Sequence, residues 1–192
     1  GVGGQGNLFF GKVLAQVAFL AGYDDRNILK GETHGMAQMG GPVISTFGCG
    51  EVFSPALVPG TANVLIAMEK AEVLRPGFLD LLEPGGTVLM ADTRILPHGL
   101  KPEAYPSDEA IAAQLEGYRV VSVDVLSIAL NLGDPKGRCA NVAMLGVLST
   151  LPPFDVVPET VWLQALRGIS RKPALWDLNH AAFMAGRGMQ KG

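Results

Sequence analysis

The sequence predicts a three-layer α/β domain with a mostly parallel sheet, one antiparallel hairpin and a helical C-terminal part. Apolar segments of strand length alternate with segments of helical spacing as far as Val123, and only helical spacing follows. The length of 192 residues fits a single domain spanning residues 1–192. Hydrophobic residues make up 48% and charged residues 17% of the chain. This composition fits either a surface that rests on a partner or parallel strands that bury the apolar residues.

The first half of the chain predicts a buried helix, a glycine-rich loop and a hairpin. Helical spacing covers residues 7–22 and ends at Gly22, and a short strand follows at about residues 27–30. Residues 31–41 contain four glycines and predict a loop. Residues 43–47 and 51–54 flank Gly48, Cys49 and Gly50, which favours a β-hairpin.

A βαβ unit follows. Residues 62–68 predict a buried strand, residues 69–82 a helix interrupted near Pro76, and residues 87–91 a second strand after the turn at residues 83–86. Three prolines between residues 92 and 106 indicate a surface loop.

The last ninety residues are mainly helical by their spacing. Ser107 can cap a helix that carries Asp108 and Glu109 in its first turn and ends at Gly117. Residues 118–123 return as a strand. Four helices are then predicted at residues 125–132, 138–148, 158–169 and 174–185.

Composition disfavours several classes of function. The net charge of −3, with dispersed basic residues, disfavours nucleic-acid binding. The apolar runs are far shorter than the ~18 residues of a membrane span, and no secretory signal is visible, so we expect a cytoplasmic protein. Cys49 and Cys139 are the only cysteines and form no CxxC pair, so the chain is not expected to hold an iron–sulfur cluster or a zinc ion.

A glycine turn opens the chain. Gly1, Gly3 and Gly6 match G-x-G-x-x-G directly before the first predicted helix, which is the pattern of a Rossmann-like phosphate site. The pattern requires a preceding strand, and we expect it before Gly1. The acidic residue that would mark a dinucleotide site is ambiguous, since Asp24 and Asp25 precede the second strand and Glu32 follows it. Three interpretations stay open: a nicotinamide site, another anion site, and a tight turn without a ligand.

A second segment, residues 31–43, is hard to explain as scaffold. Its polar side chains are Glu32, Thr33, His34 and Gln38, and they lie between glycines on a predicted loop. Loops of this kind often carry residues that contact ligands or partners. Glu32 and His34 could face an active site as hydrogen-bonding or acid/base groups, or could hold the loop against the domain.

Together, the two segments closely resemble the 2-oxoacid:ferredoxin oxidoreductase family, in particular the gamma-type domain and the beta subunit of its indolepyruvate branch. The resemblance covers most of the chain; it includes Gly3, Gly4, Gln5 and Gly6, residues 32–41, 53–55, 62–68, 82–86 and 141–148, and Asn179, Phe183 and Gly186. One departure is Met39, where relatives usually carry an arginine.

The resemblance implies an accessory subunit of an enzyme that decarboxylates an aryl 2-oxoacid oxidatively to an acyl-coenzyme A and passes electrons to ferredoxin. It implies that thiamine diphosphate, magnesium and iron–sulfur clusters belong to a larger partner subunit. No catalytic residue is assigned to this chain; Glu32, Thr33, His34 and Gln38 would line the partner's site. We expect Gly3, Gly4, Gln5 and Gly6 to contact a phosphate of coenzyme A, which is a co-substrate. The alternatives are a free-standing NAD(P)-binding oxidoreductase and a non-enzymatic nucleotide-binding module.

Overall fold

The chain forms two sheets within residues 1–34, 41–96, 101–170 and 173–189, the part that the computed structural model describes. One sheet pairs two antiparallel strands, and the other pairs three parallel strands. The elements in chain order are α1 (Asn7–Leu20), β1 (Ile28–His34), β2 (Val43–Cys49), β3 (Ala62–Ala67), β4 (Leu82–Ala91), α2 (Asp108–Gln114), β5 (Arg119–Val123), α3 (Val125–Asn131), α4 (Ala140–Leu148), α5 (Glu159–Ile169) and α6 (Pro173–Gly188). The predicted α/β class with a helical C-terminal part is confirmed.

The central strand of the parallel sheet shows why the fold has three layers. β4 lies between β3 and β5, and its side chains alternate between two cores. Leu89 and Ala91 belong to the larger core, which includes residues of α1 and α3–α6. Val88 and Met90 belong to a smaller core that includes residues of α2. Both faces of β4 are therefore covered by helices, which accounts for the uninterrupted apolar run at residues 88–91.

The predicted hairpin around Gly48, Cys49 and Gly50 is wrong. β2 pairs with β1 instead, over seven residue pairs from Ile28↔Cys49 to His34↔Val43, and residues 51–54 form no strand. β1 is thus longer than predicted, because it includes residues 31–34, which the sequence assigned to the loop. The reason is that the longer ladder packs against α1, while Gly50, with φ +95°, turns the chain away from the sheet.

The predicted helix over residues 69–82 is also wrong. The chain forms two short 3₁₀ turns there, Lys70–Leu74 and Leu79–Leu81, and β4 begins at Leu82. The carboxylate of Glu69 accepts hydrogen bonds from the backbone N–H of Glu72 and of Ile95, at 3.1 and 3.2 Å. These bonds tie the first turn to the loop after β4, and Pro76 cannot continue a helix.

The second half of the chain agrees with the prediction. Ser107 caps α2, since its Oγ accepts a hydrogen bond from the N–H of Ala110 at 3.2 Å. The four predicted C-terminal helices are confirmed, with ends that differ by a few residues. No helix in the described ranges is both long and apolar enough to cross a membrane.

Two glycines let α4 and α6 approach each other backbone to backbone. A Cβ added at Gly146 would lie 2.1 Å from the carbonyl oxygen of Phe183. A Cβ added at Gly186 would lie 2.0 Å from the carbonyl oxygen of Ala143. Real Cβ atoms do not approach oxygen so closely, so the crossing needs a glycine at both positions.

Candidate functional site

The glycine turn lies beside the segment that begins β2. The backbone N–H of Gly3 donates to the carbonyl oxygen of Gly41 at 2.8 Å, and the N–H of Val43 donates to the carbonyl oxygen of Gly1 at 2.8 Å. Val2 and Pro42 form an antiparallel bridge between these bonds. The structure therefore brings together the two segments that the sequence singled out separately.

Gln5 fixes the glycine turn to the carboxyl edge of the parallel sheet. Its Nε2 donates to the carbonyl oxygen of Met68, the residue directly after β3, at 2.5 Å. Its Oε1 accepts from the N–H of Val2 at 2.9 Å. Ligands of open α/β sheets bind outside the carboxyl ends of the strands, so the turn lies where the fold places ligands.

The N-terminus of α1 offers hydrogen-bond donors. Gly6, the N-cap of α1, has a left-handed conformation with φ +80°, no side chain caps the helix, and its first turn has no acidic residue. The first amides of a helix have no partner inside the helix and attract anions. Gly4, with φ +102°, is open, since a Cβ added there would meet no atom within 4 Å. This geometry suits a phosphate or carboxylate group.

Two of the polar residues predicted in the second segment, Glu32 and Thr33, do not face the same side of their strand. Glu32 and Thr33 lie in β1, so their side chains point to opposite faces of the strand. The carboxylate of Glu32 forms an ion pair with Lys30 at 2.5 Å, and the stem of Lys30 passes 3.2 Å from a Cβ added at Gly11 of α1. Glu32 therefore lies on the α1 side of the ladder.

The remaining residues of that segment are only partly described. The backbone of His34 pairs with Val43 at the end of β1. Gln38 and Met39 lie outside the described residues.

Asn141 is a residue of the site that our reasoning about function missed. It lies in the first turn of α4 and is 7% exposed. Its Nδ2 would be 2.2 Å from a Cβ added at Gly6, so the carboxamide packs directly against the glycine turn. One signal could have identified it: a lone polar residue in the otherwise apolar sequence ANVAMLGVL.

Asp134 holds the start of α4, and with it Asn141, in place. Its carboxylate is buried and accepts a hydrogen bond from the backbone N–H of Cys139 at 2.9 Å. Burial by itself would raise the pKa of Asp134, but the hydrogen bonds from Cys139, Arg138 and Lys136 outweigh it and hold the pKa below its usual value. The carboxylate is therefore ionised at neutral pH and anchors the loop before α4.

The comparison with known protein families decides which class of protein carries this site. The family described as pyruvate ferredoxin/flavodoxin oxidoreductase matches residues 1–189. The chain belongs to this family. The predicted membership among the 2-oxoacid ferredoxin oxidoreductases is thereby confirmed.

Curated relatives include small subunits of similar length. The chain is 30% identical over 192 residues to the indolepyruvate oxidoreductase subunit IorB of Methanothermobacter thermautotrophicus, covering 98% of this chain and 93% of that subunit. It is 35% identical over 152 residues to the IorB subunit of Archaeoglobus fulgidus, covering 77% of this chain and 72% of that subunit. The ketoisovalerate oxidoreductase subunit VorA of Methanothermobacter marburgensis is 31% identical over 191 residues, but the match covers only 34% of that longer chain.

Solved structures of the oxidoreductases share the fold. The gamma subunit of a keto/oxoacid ferredoxin oxidoreductase from Geobacter sulfurreducens superimposes with a TM-score of 0.65 at 22% identity, covering 96% of this chain and 90% of that one. A 2-oxoglutarate:ferredoxin oxidoreductase from Magnetococcus marinus, solved with 2-oxoglutarate, coenzyme A and succinyl-CoA bound, gives 0.69 at 17% identity; the match covers 99% of this chain and 30% of that one. None of these proteins is described as a nicotinamide enzyme or a nucleotide-binding module, the two alternatives left open by the sequence.

Cys49 and Cys139 are not suited to ligate an iron–sulfur cluster. The sequence has two cysteines, and both are free. Burial raises the pKa of Cys139 to about 11, and burial also raises the pKa of Cys49. Clusters are ligated by thiolates, commonly four, whereas these two thiols are neutral at neutral pH. Within the residues that the structure describes, His, Cys, Asp and Glu side chains form no group of three that could hold a metal ion.

A group of charged residues braces the carboxyl ends of β3 and β4. The ammonium of Lys70 contacts Asp92 at 2.6 Å and Asp108 at 2.9 Å, and Arg94 contacts Asp108 at 2.6 Å. Hydrogen bonds to Asp108 and Asp92 raise the pKa of Lys70, so it stays charged. Two cations balance two carboxylates here, and the group links the strand ends to α2.

Proposed function

We propose that this chain is the small subunit of an indolepyruvate-type 2-oxoacid:ferredoxin oxidoreductase. The assembled enzyme would decarboxylate an aryl 2-oxoacid oxidatively, form an acyl-coenzyme A and reduce ferredoxin. The observation that carries this proposal is the match over nearly the full length of both chains to a subunit of indolepyruvate oxidoreductase.

The reactive cofactors of the assembled enzyme would lie in a larger partner subunit. Thiamine diphosphate with magnesium would stabilise the carbanion formed on decarboxylation, and iron–sulfur clusters would carry the electrons. The neutral, separated thiols of Cys49 and Cys139 support this division. Free thiols also agree with a reducing compartment, so the cytoplasm is the location that we propose.

The role that we propose for the glycine turn is to bind a phosphate of coenzyme A. The donors would be the backbone N–H groups of Gly4 and Gly6, aided by the uncapped N-terminus of α1, while the N–H of Gln5 donates to the carbonyl oxygen of Val2 at 3.3 Å within the turn. Binding at this remote part of the co-substrate would orient the thiol toward the partner's active site. Gln5 would keep the turn in place through its hydrogen bond to Met68.

Replacing Gly4 by alanine tests this role. The conformation at Gly4, φ +102°, is strained for alanine, and the new methyl would project into open space beside the turn. We expect the KM for coenzyme A of the assembled enzyme to rise about 10-fold, equivalent to ~1.4 kcal/mol of binding, with a small change in kcat.

Gly22→Ala is a matched control for this experiment. Gly22 follows the opposite end of α1, has φ +95°, and a Cβ there would also meet no atom within 4 Å. Both variants should therefore lose similar stability, and only Gly4→Ala should raise the KM. Equal KM values for the two variants would exclude the glycine turn as the coenzyme A site.

An exposed apolar loop, residues 51–60, is the surface that we propose for the partner subunit. Phe53 is 97% exposed and Val58 63% exposed. Thr46 pins this loop to β2, since its Oγ1 donates to the carbonyl oxygen of Pro55 at 2.7 Å. In two relatives, the region that matches this chain makes up only 34% and 30% of a longer chain. The rest of each relative is therefore covalently attached to that region. A separate larger subunit covering Phe53 would replace that attached part.

A further inference from the structure

Asn141 differs from the other buried polar residues in what surrounds it. Its Oδ1 is buried and has no hydrogen-bond partner within the described part of the chain. Buried Glu69 and Asp134 accept hydrogen bonds from backbone N–H groups, and buried Ser149 donates to the carbonyl oxygen of Gly146 at 2.6 Å. Buried polar groups in native proteins almost always have partners, so an exception calls for an explanation.

A structural role for the carboxamide is not apparent. Asparagine near the start of a helix often serves as a cap, but Cys139 is the N-cap residue of α4, and the cap has no side-chain hydrogen bond. The neighbours of Asn141 in α4 are apolar and buried, so leucine at this position would match its surroundings better. Trp162 Nε1 is the other such atom in the described residues, and its ring packs between Phe154 and Phe183.

The position of the carboxamide indicates what it binds. Its Nδ2 lies against Gly6, the N-cap of α1, on the side where any other residue would have its Cβ. The donors at the uncapped N-terminus of α1 begin at the same residue. A side-chain amide and a set of helix amides thus meet at Gly6, and both favour an anionic oxygen.

We infer that Asn141 is a ligand-binding residue of the glycine turn, and that its Nδ2, which has no acceptor within the described part of the chain, donates a hydrogen bond to the phosphate held at the N-terminus of α1. This inference rests on the proposed binding of coenzyme A at that turn. It adds a specific side-chain donor, 135 positions along the chain from Gly6, to a site otherwise built from backbone groups.

Asn141→Leu and Asn141→Asp in the assembled enzyme test the inference. Leucine removes the donor and also the unpartnered polar atom, so we expect the melting temperature to stay the same or rise. The KM for coenzyme A should rise about 10-fold, and the KM for the 2-oxoacid should not change. Aspartate places a negative charge beside the phosphate and should raise the KM for coenzyme A further than leucine does. Calorimetry with coenzyme A, in the absence of the 2-oxoacid, should give the same ranking of Kd values. The Kd should be higher for Asn141→Leu than for the original protein, and highest for Asn141→Asp.

Three results would overturn the inference, and Gly4→Ala distinguishes between the first two. If Gly4→Ala weakens coenzyme A binding but Asn141→Leu does not, Asn141 is no ligand and only this inference fails. If neither variant weakens binding, the proposed coenzyme A site fails and the inference fails with it. A lower melting temperature of Asn141→Leu with unchanged binding would assign Asn141 to the fold.

Discussion

Replacing Gly146 by alanine is expected to destabilise the protein by about 3 kcal/mol, near the upper end of the usual cost of overpacking. The added methyl would lie 2.1 Å from the carbonyl oxygen of Phe183 and 3.0 Å from the backbone nitrogen of Arg187. Both obstacles are backbone atoms of α6, so no side-chain rotation can relieve the clash. α6 must move away from α4, which would loosen the largest helix contact of the main core. The loss should lower the melting temperature by roughly 6–12 °C.

Gly168→Ala is the matched control for Gly146→Ala. Gly168 is also a helical glycine, in α5, but a Cβ there meets no atom within 4 Å. Because alanine favours helix over glycine, this variant should be unchanged or more stable by up to about 1 kcal/mol. Urea unfolding of both variants gives the comparison. Similar stabilities of the two would contradict the close backbone approach of α4 and α6.

Replacing Phe53 by aspartate is expected to weaken the complex with the larger subunit by about 30-fold in Kd, or ~2 kcal/mol. The side chain is 97% exposed, so it contributes nothing to the stability of the isolated chain. An aromatic residue held on a pinned loop loses little freedom on binding and buries a large apolar area. Aspartate would instead place a charge in the interface. Calorimetric titration of the larger subunit with each variant measures the change.

The matched control for this interface is Val156→Asp. Val156 is 80% exposed, in the turn before α5, and lies outside the apolar loop. Substitution there should leave the Kd within about twofold of the original, because exposed positions away from an interface contribute little. Equal losses in both variants would show a general effect of added charge, and no loss in Phe53→Asp would place the interface elsewhere.

Local interactions explain which parts of the fold could be predicted from the sequence. Ser107 caps α2 by bonding to an N–H three residues away, so the capping pattern sufficed. The β1–β2 pairing depends on a ladder of seven residue pairs that packs on α1, which sequence alternation alone does not reveal. The carboxylate of Glu69 bonds to Ile95 and Tyr105, 26 and 36 positions away, and these contacts replace the expected helix.

In the candidate site, too, the sequence predicted the part that depends on neighbouring residues and missed the part that depends on packing. The glycine spacing in residues 1–6 predicted a turn at the start of a helix, because a glycine permits a tight turn of the backbone at its own position. Asn141 reaches that turn only through the packing of α4, so its place could not be read from spacing. The single domain and the strand expected before Gly1 remain predictions, as do the roles of Gln38 and Met39.

The rate of ferredoxin reduction by the larger subunit, with and without this chain, tests the central claim most directly. With an aryl 2-oxoacid and coenzyme A present, we expect no turnover by this chain alone and a coenzyme A-dependent rate that saturates when the two subunits are equimolar. An unchanged rate when this chain is omitted would contradict the claim. So would oxidation of a substrate by the isolated chain with a nicotinamide that it binds itself.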